Sequence, residues 1–199
     1  MNKTILITGS SSGIGKDLAI KFAKKNWTVI GLSRRLPVFD KSLSKKVLKN
    51  IVSYSLDITK KKEVNSRFKI IFLKHGIPDI FFLNAGTNNP NSKYIVKNKE
   101  TKKIFEVNYF GTLNCLEPIL NIKKSMSKSI SQLVIMSSVA GYRGLPHAAA
   151  YCSSKAALIA LAESIYNECK LIGLDVRVLN PGFIKTPLTD RNNFPMPMI

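Results

Sequence analysis

Thr8-Gly9-Ser10-Ser11-Ser12-Gly13-Ile14-Gly15 is the stretch on which the fold turns. It follows the apolar run Thr4-Ile5-Leu6-Ile7 and leads into a helical pattern of Leu18, Ile20, Phe22 and Ala23. A strand, a glycine-rich turn and a helix in that order make a phosphate cradle for a dinucleotide. Gly9 permits the tight turn, Gly13 lets backbone approach a pyrophosphate, and Gly15 lets the helix pack near the strand. The helix N-terminus, entered through Ser11, Ser12 and Ile14, supplies N–H groups and a partial positive charge to the phosphates.

Outward from this turn, short β-rich runs alternate with longer amphipathic stretches. Strands are expected over Thr4–Thr8, Thr28–Leu32, Ile51–Leu56, Ile80–Asn84, Gln132–Ser137 and Asp175–Leu179. Helices are expected over Gly13–Lys25, Lys60–Lys74, Glu100–Leu120 and Tyr151–Leu171, with Thr59 as N-cap of the second and Glu63 nearby. Thr87 to Lys99 reads as an exposed polar loop. Alternation with short connections predicts an α/β fold, a doubly wound parallel sheet of Rossmann type with helices on both faces. Its right-handed crossovers place ligands at the carboxyl ends of the strands.

A chain of 199 residues suits one domain. A hydrophobic content of 45% and a charged content of 22% are ordinary for a soluble protein. No apolar run approaches the ~20 residues that span a bilayer, and the short N-terminal run reads as a strand, not a leader. Cys115, Cys152 and Cys169 show no metal spacing, and with His75 and His147 they give no metal site. They point to reduced thiols in a cytoplasmic setting. The net charge of +19, from 31 basic and 12 acidic residues, is spread over scattered pairs such as Lys24-Lys25 and Lys102-Lys103. Without interleaved aromatics it reads as solvated helix ends, with a steering effect on an anionic cofactor, not as a specific nucleic-acid surface.

A second constellation lies downstream. Met136-Ser137-Ser138 is followed by Tyr151-Cys152-Ser153-Ser154-Lys155, where Tyr151 and Lys155 share one helix face. A tyrosine with its ordinary pKa near ~10 exchanges protons poorly at neutral pH. A neighbouring ammonium and an oxidised nicotinamide favour the phenolate. A lowering of ~3 units requires about 4 kcal/mol.

With these pieces in order, the chain resembles the short-chain dehydrogenase/reductase family over essentially its whole length. The matching residues are Thr8-Gly9-x-x-x-Gly13-x-Gly15, Asp57, Asn84-Ala85-Gly86, Asn108, Ser138, Tyr151-x-x-x-Lys155 and Pro181-Gly182-x-x-x-Thr186. The glycine spacing resembles the ordinary branch rather than the extended one. The resemblance implies hydride transfer between a nicotinamide and a carbonyl or alcohol substrate. Tyr151 becomes the acid in reduction and the base in oxidation, Lys155 its pKa-lowering partner and ribose ligand, and Ser138 a donor to the substrate oxygen. Asn108 matches the residue that holds a relay water; its plain reading is a helix-kink or packing amide. Asp57, with Ile58, falls at the adenine, and Asn84, Ala85 and Gly86 line the adenosine side. Ile184 and Thr186, beyond the Pro181-Gly182 turn, fix the carboxamide. Family members usually pair through the two long helices, so a homodimer or homotetramer is expected.

An NAD-specific site carries a carboxylate at the end of the second strand, about 20 residues past the glycine turn. Here Ser33 stands there, followed by Arg34 and Arg35, a set that favours the 2′-phosphate of NADP(H). The chain closes at Phe194-Pro195-Met196-Pro197-Met198-Ile199. Against the family pattern this makes a shortened single domain over residues 1–199, without the usual last helix and strand, and with an uncovered sixth strand. A cofactor-binding sensor or scaffold without turnover, or an inactive truncated relative, is the alternative reading.

Overall fold

The computed structural model describes residues 3–89, 96–126 and 130–191. Six parallel strands form one sheet: β1 (Thr4–Thr8), β2 (Thr28–Ser33), β3 (Ile51–Ser55), β4 (Ile80–Leu83), β5 (Ser131–Met136) and β6 (Leu174–Leu179). Their spatial order is β3-β2-β1-β4-β5-β6, so the chain reverses direction of winding beside β1. Ile5, Leu6 and Ile7 of β1 are fully buried because both faces of this central strand are covered.

The alternation of side chains divides the core in two. Leu6, Ile30, Phe81, Leu133 and Ile135 face one way, against Phe68 and Ile71 of α3 (Lys61–His75), Leu116 and Ile119 of α5 (Gly111–Met126) and Leu158 of α6 (Ala149–Leu171). Ile5, Ile7, Val29, Phe82 and Val134 face the other way, against Ala19 and Ala23 of α1 (Gly13–Lys24). The expected doubly wound sheet is what forms.

Three local expectations change. The helix expected over Glu100–Leu120 is divided into α4 (Asn98–Phe105), a π-helical turn (Glu106–Phe110) and α5, which runs on to Met126. A short helix, α2 (Lys45–Lys49), precedes β3; it buries no residue, so no apolar stripe announces it. Thr59 is not the N-cap of α3. Lys60 holds that position, while the Asp57 carboxylate accepts from both the N–H and the hydroxyl of Thr59, at 3.0 and 2.9 Å. Part of the polar stretch 87–99 lies outside the described residues, and α4 already begins at Asn98. Among the described residues β6 pairs only with β5. The stretch 194–199, read above as the close of a shortened domain, lies outside them.

Candidate active site

All six strands deliver residues to one cleft of about 310 Å³ at their carboxyl ends. Gly9 follows β1; Ser33, Arg34 and Arg35 close β2; Asp57 and Ile58 follow β3; Asn84, Ala85 and Gly86 follow β4. Ser138 follows β5, Pro181, Gly182, Ile184 and Thr186 follow β6, and Tyr151 and Lys155 enter from α6. Ser11, Ser12, Gly13 and Ile14 of the first turn line it as well. A cleft opening where the winding reverses is where an α/β sheet binds ligands.

The turn after β1 is shaped for close backbone approach. Gly9 has φ 72, and a Cβ there would stand 2.9 Å from both Ala85 Cα and Asn84 Nδ2. A Cβ on Gly15 would run into the Gly9 carbonyl oxygen. Gly15 therefore lets α1 pack on the turn and does not itself line the cleft. Asn84 fastens this junction by donating from Nδ2 to the carbonyl of Thr8 at 3.1 Å, while the Thr8 hydroxyl accepts from the N–H of Asn84 and of Ala85. Ser12 is the N-cap of α1 but makes no side-chain cap bond, and the first turn holds no acidic residue. Its N-terminal N–H groups face the cleft in a form suited to an anion.

At the far side the two serines of the strand end divide their work. Ser137 donates to the carbonyl of Lys155 at 2.8 Å, tying α6 to β5. Ser138 accepts from the N–H of Ala140 at 3.2 Å, its hydroxyl donates to the carbonyl of Pro181 at 3.5 Å, and it lines the cleft beside Tyr151. Lys155 is buried, and its Nζ donates to the carbonyl of Met136 at 2.8 Å and lies 5.7 Å from the centre of the Tyr151 ring. The absence of a side chain on Gly86 leaves room here: a Cβ would come within 3.4 Å of Lys155 Nζ.

The electrostatics depart from the simple expectation of a lowered phenol. Burial pushes Tyr151 up, and the nearby Ser138 hydroxyl opposes the rise without prevailing. The ammonium of Lys155 is directed at a main-chain carbonyl and is itself pushed down to about 8 by burial. In this arrangement desolvation is the largest influence on both groups.

Asn108 stands behind the cleft rather than in its wall. It is fully buried in the π-helical turn; its Oδ1 accepts from the N–H of Thr87 at 2.7 Å. Its Nδ2 donates to the carbonyl of Thr87 at 3.0 Å and to the hydroxyl of Ser154 at 2.9 Å. Leu32, Leu56, Met136, Ser137, Pro187, Leu188 and Thr189 also line the cleft, as do Thr87 and Val107, which were not singled out from the sequence because no motif marks them.

A family model described as short chain dehydrogenase matches residues 3–195. The chain belongs to the short-chain dehydrogenase/reductase family. Membership brings with it NAD(P)-dependent oxidoreduction, a bound nicotinamide cofactor and a small-molecule substrate. The chain is similar to the NADPH-dependent pterin aldehyde reductase of Arabidopsis thaliana, 35% identical over 190 residues, covering 94% of this chain and 76% of that one. It is also similar to the 3-oxoacyl-acyl-carrier-protein reductase FabG of Buchnera aphidicola subsp. Schizaphis graminum (strain Sg), 32% identical over 191 residues, covering 96% and 77%. Among solved structures it is similar to ElxO with NADP bound, with a TM-score of 0.83 and 31% identity, covering 96% of this chain and 77% of that one.

The glycine turn and the uncapped helix are a cradle of the kind this dehydrogenase/reductase family uses, so the residues present fit the cofactor. Among the described residues no cluster of three His, Cys, Asp or Glu is placed to hold a metal, and no helix is long and apolar enough to cross a membrane.

Proposed function

We propose that this protein transfers a hydride between NADP(H) and a carbonyl or alcohol carbon, with Tyr151 as the general acid/base. When bound, the nicotinamide supplies or accepts the hydride. In reduction, the Tyr151 hydroxyl gives its proton to the substrate oxygen as negative charge develops there, and the Ser138 hydroxyl donates a hydrogen bond to the same oxygen. In oxidation the phenolate takes that proton back. Lys155 anchors the face of α6 that presents Tyr151 and contacts the ribose. Asn108 joins this set through the segments it holds. The observation that carries the reading is the convergence of Ser138, Tyr151 and Lys155 with the glycine turn in one cleft.

Tyr151→Phe tests it. Turnover of aldehydes and ketones, followed by cofactor absorbance, falls by at least ~100-fold, the scale of a lost general acid. Cofactor affinity stays within about 2-fold. Retained turnover refutes the assignment.

The preference for NADP(H) rests on Arg34 and Arg35 at the rim of the cleft, with no carboxylate at the end of β2. The three buried free cysteines suit a reducing, cytoplasmic setting. A homodimer or homotetramer through α5 and α6 is supported by exposed Phe110, in the π-helical turn that leads into α5, and Tyr166 of α6; light scattering at micromolar protein checks it.

A further inference from the structure

The segment entering α6 holds a residue that its backbone does not suit. Leu145-Pro146-His147-Ala148 closes a β-turn, the N–H of Ala148 donating to the carbonyl of Leu145 at 3.3 Å. Proline leads the central pair, and His147 follows with φ 59. A turn of this pattern needs a positive φ at its third residue, which glycine or asparagine adopts most readily. The turn is also tied to the helix, because the N–H of Leu145 donates to Cys152 Sγ at 3.3 Å. The strained position is thus fixed on a rigid support, next to the helix that carries Tyr151.

His147 is exposed, and it lines a cavity of about 70 Å³ that shares Ser138, Tyr151 and Gly182 with the main cleft but includes none of the glycine turn. With the cradle occupied by a cofactor, this cavity is the space beside Ser138 and Tyr151 left for a substrate. Val139, Ala140, Leu145, Pro146 and Phe183 make most of the remaining wall apolar. Among the described lining residues His147 is the one titratable group besides Tyr151, and no described residue hydrogen bonds its ring.

We propose that His147 is a specificity-determining residue whose imidazole donates a hydrogen bond to a second oxygen of the substrate, a few bonds from the reacting carbonyl. The favoured substrates are carbonyl compounds bearing a neighbouring ester, amide or acid oxygen, in preference to plain ketones. A neutral imidazole offers one N–H donor, and the partner selects the tautomer. The backbone strain is explained by this role: glycine would relax the turn but would leave the apolar wall without a donor. The inference rests on the reading of Tyr151 as the group that meets the reacting oxygen.

The test uses paired substrates, ethyl acetoacetate against an unbranched methyl ketone of the same chain length, with matched aldehyde pairs beside them. The wild type shows a higher kcat/KM for the oxygen-bearing member of each pair. In His147→Gly this ratio falls by roughly 3- to 10-fold, as for the loss of one hydrogen bond, while the thermal midpoint stays equal or rises. His147→Asn, which tolerates the same φ and keeps a donor, retains most of the ratio. An unchanged ratio in His147→Gly, no preference in the wild type, or a lowered midpoint that marks a merely structural role overturns the assignment. Absence of turnover for every pair with both NADPH and NADH overturns the oxidoreductase reading itself, and this inference falls with it.

Discussion

Lys155 is a charged group held in a dry place, and that has a measurable signature. Burial lowers its pKa from the ordinary 10.5 to about 8. Between those values the unfolded chain holds a proton that the folded one has lost, so stability rises with pH across that window. Below about 8 both states are charged, and the folded state bears a desolvation cost on the order of 3 kcal/mol. Relative to Lys155→Met, the wild type therefore gains roughly 3 kcal/mol between pH ~8 and ~10.5 in urea unfolding. A flat difference would mean that water reaches the ammonium. At the opposite rim, Arg34 is held by its main chain, whose carbonyl accepts from the Ser55 hydroxyl at 3.1 Å. If its guanidinium meets the cofactor's 2′-phosphate, Arg34→Ala weakens NADPH by about 2 kcal/mol, some ~30-fold, the loss of one charge-assisted bond. NADH affinity moves little. Equal titrations of NADPH and NADH against the wild type refute the preference outright.

The elements show how far a sequence can be read. Parallel strands covered on both faces are continuous apolar runs, and all six expected strands form with ends shifted by no more than one residue. The glycine turn was equally legible, because the two glycines that meet Ala85 and the Gly9 carbonyl permit nothing larger. The π-helical turn was legible only as one of two plain readings of Asn108, a helix kink. Apolar periodicity carries no trace of it; it sits where Asn108 pairs with the main chain of Thr87, 21 residues away. The direction of the Lys155 ammonium was likewise hidden, since residue spacing gives a shared face but not a hydrogen-bond partner. The clamp itself can be weighed. Asn108→Ala removes three side-chain hydrogen bonds and strands the part-buried main chain of Thr87, so it costs about 3 kcal/mol of stability in denaturant unfolding. A loss below ~0.5 kcal/mol would show that the bulge is held by packing alone.

At the scale of the whole molecule the surplus of positive charge meets a cleft that every strand opens into. A net charge of +19 on a chain of this size sets up a long-range field that draws in anions. The cleft offers that field a destination, with the uncapped end of α1 at its centre and Arg34 and Arg35 at its rim. Diffuse charge acts on encounter more than on residence, so salt should change the association rate and leave dissociation nearly alone. Stopped-flow mixing with NADPH is expected to show an association rate falling by at least ~10-fold between about 0.02 and 0.5 M NaCl, as the screening length shrinks well below the protein's width. NADH, lacking the additional phosphate, shows a shallower slope. A neutral ketone shows none in KM once the cofactor is saturating. Equal slopes for the two cofactors would leave the arginines at the end of β2 without a phosphate to read, and the basic surface would then be solvation rather than steering.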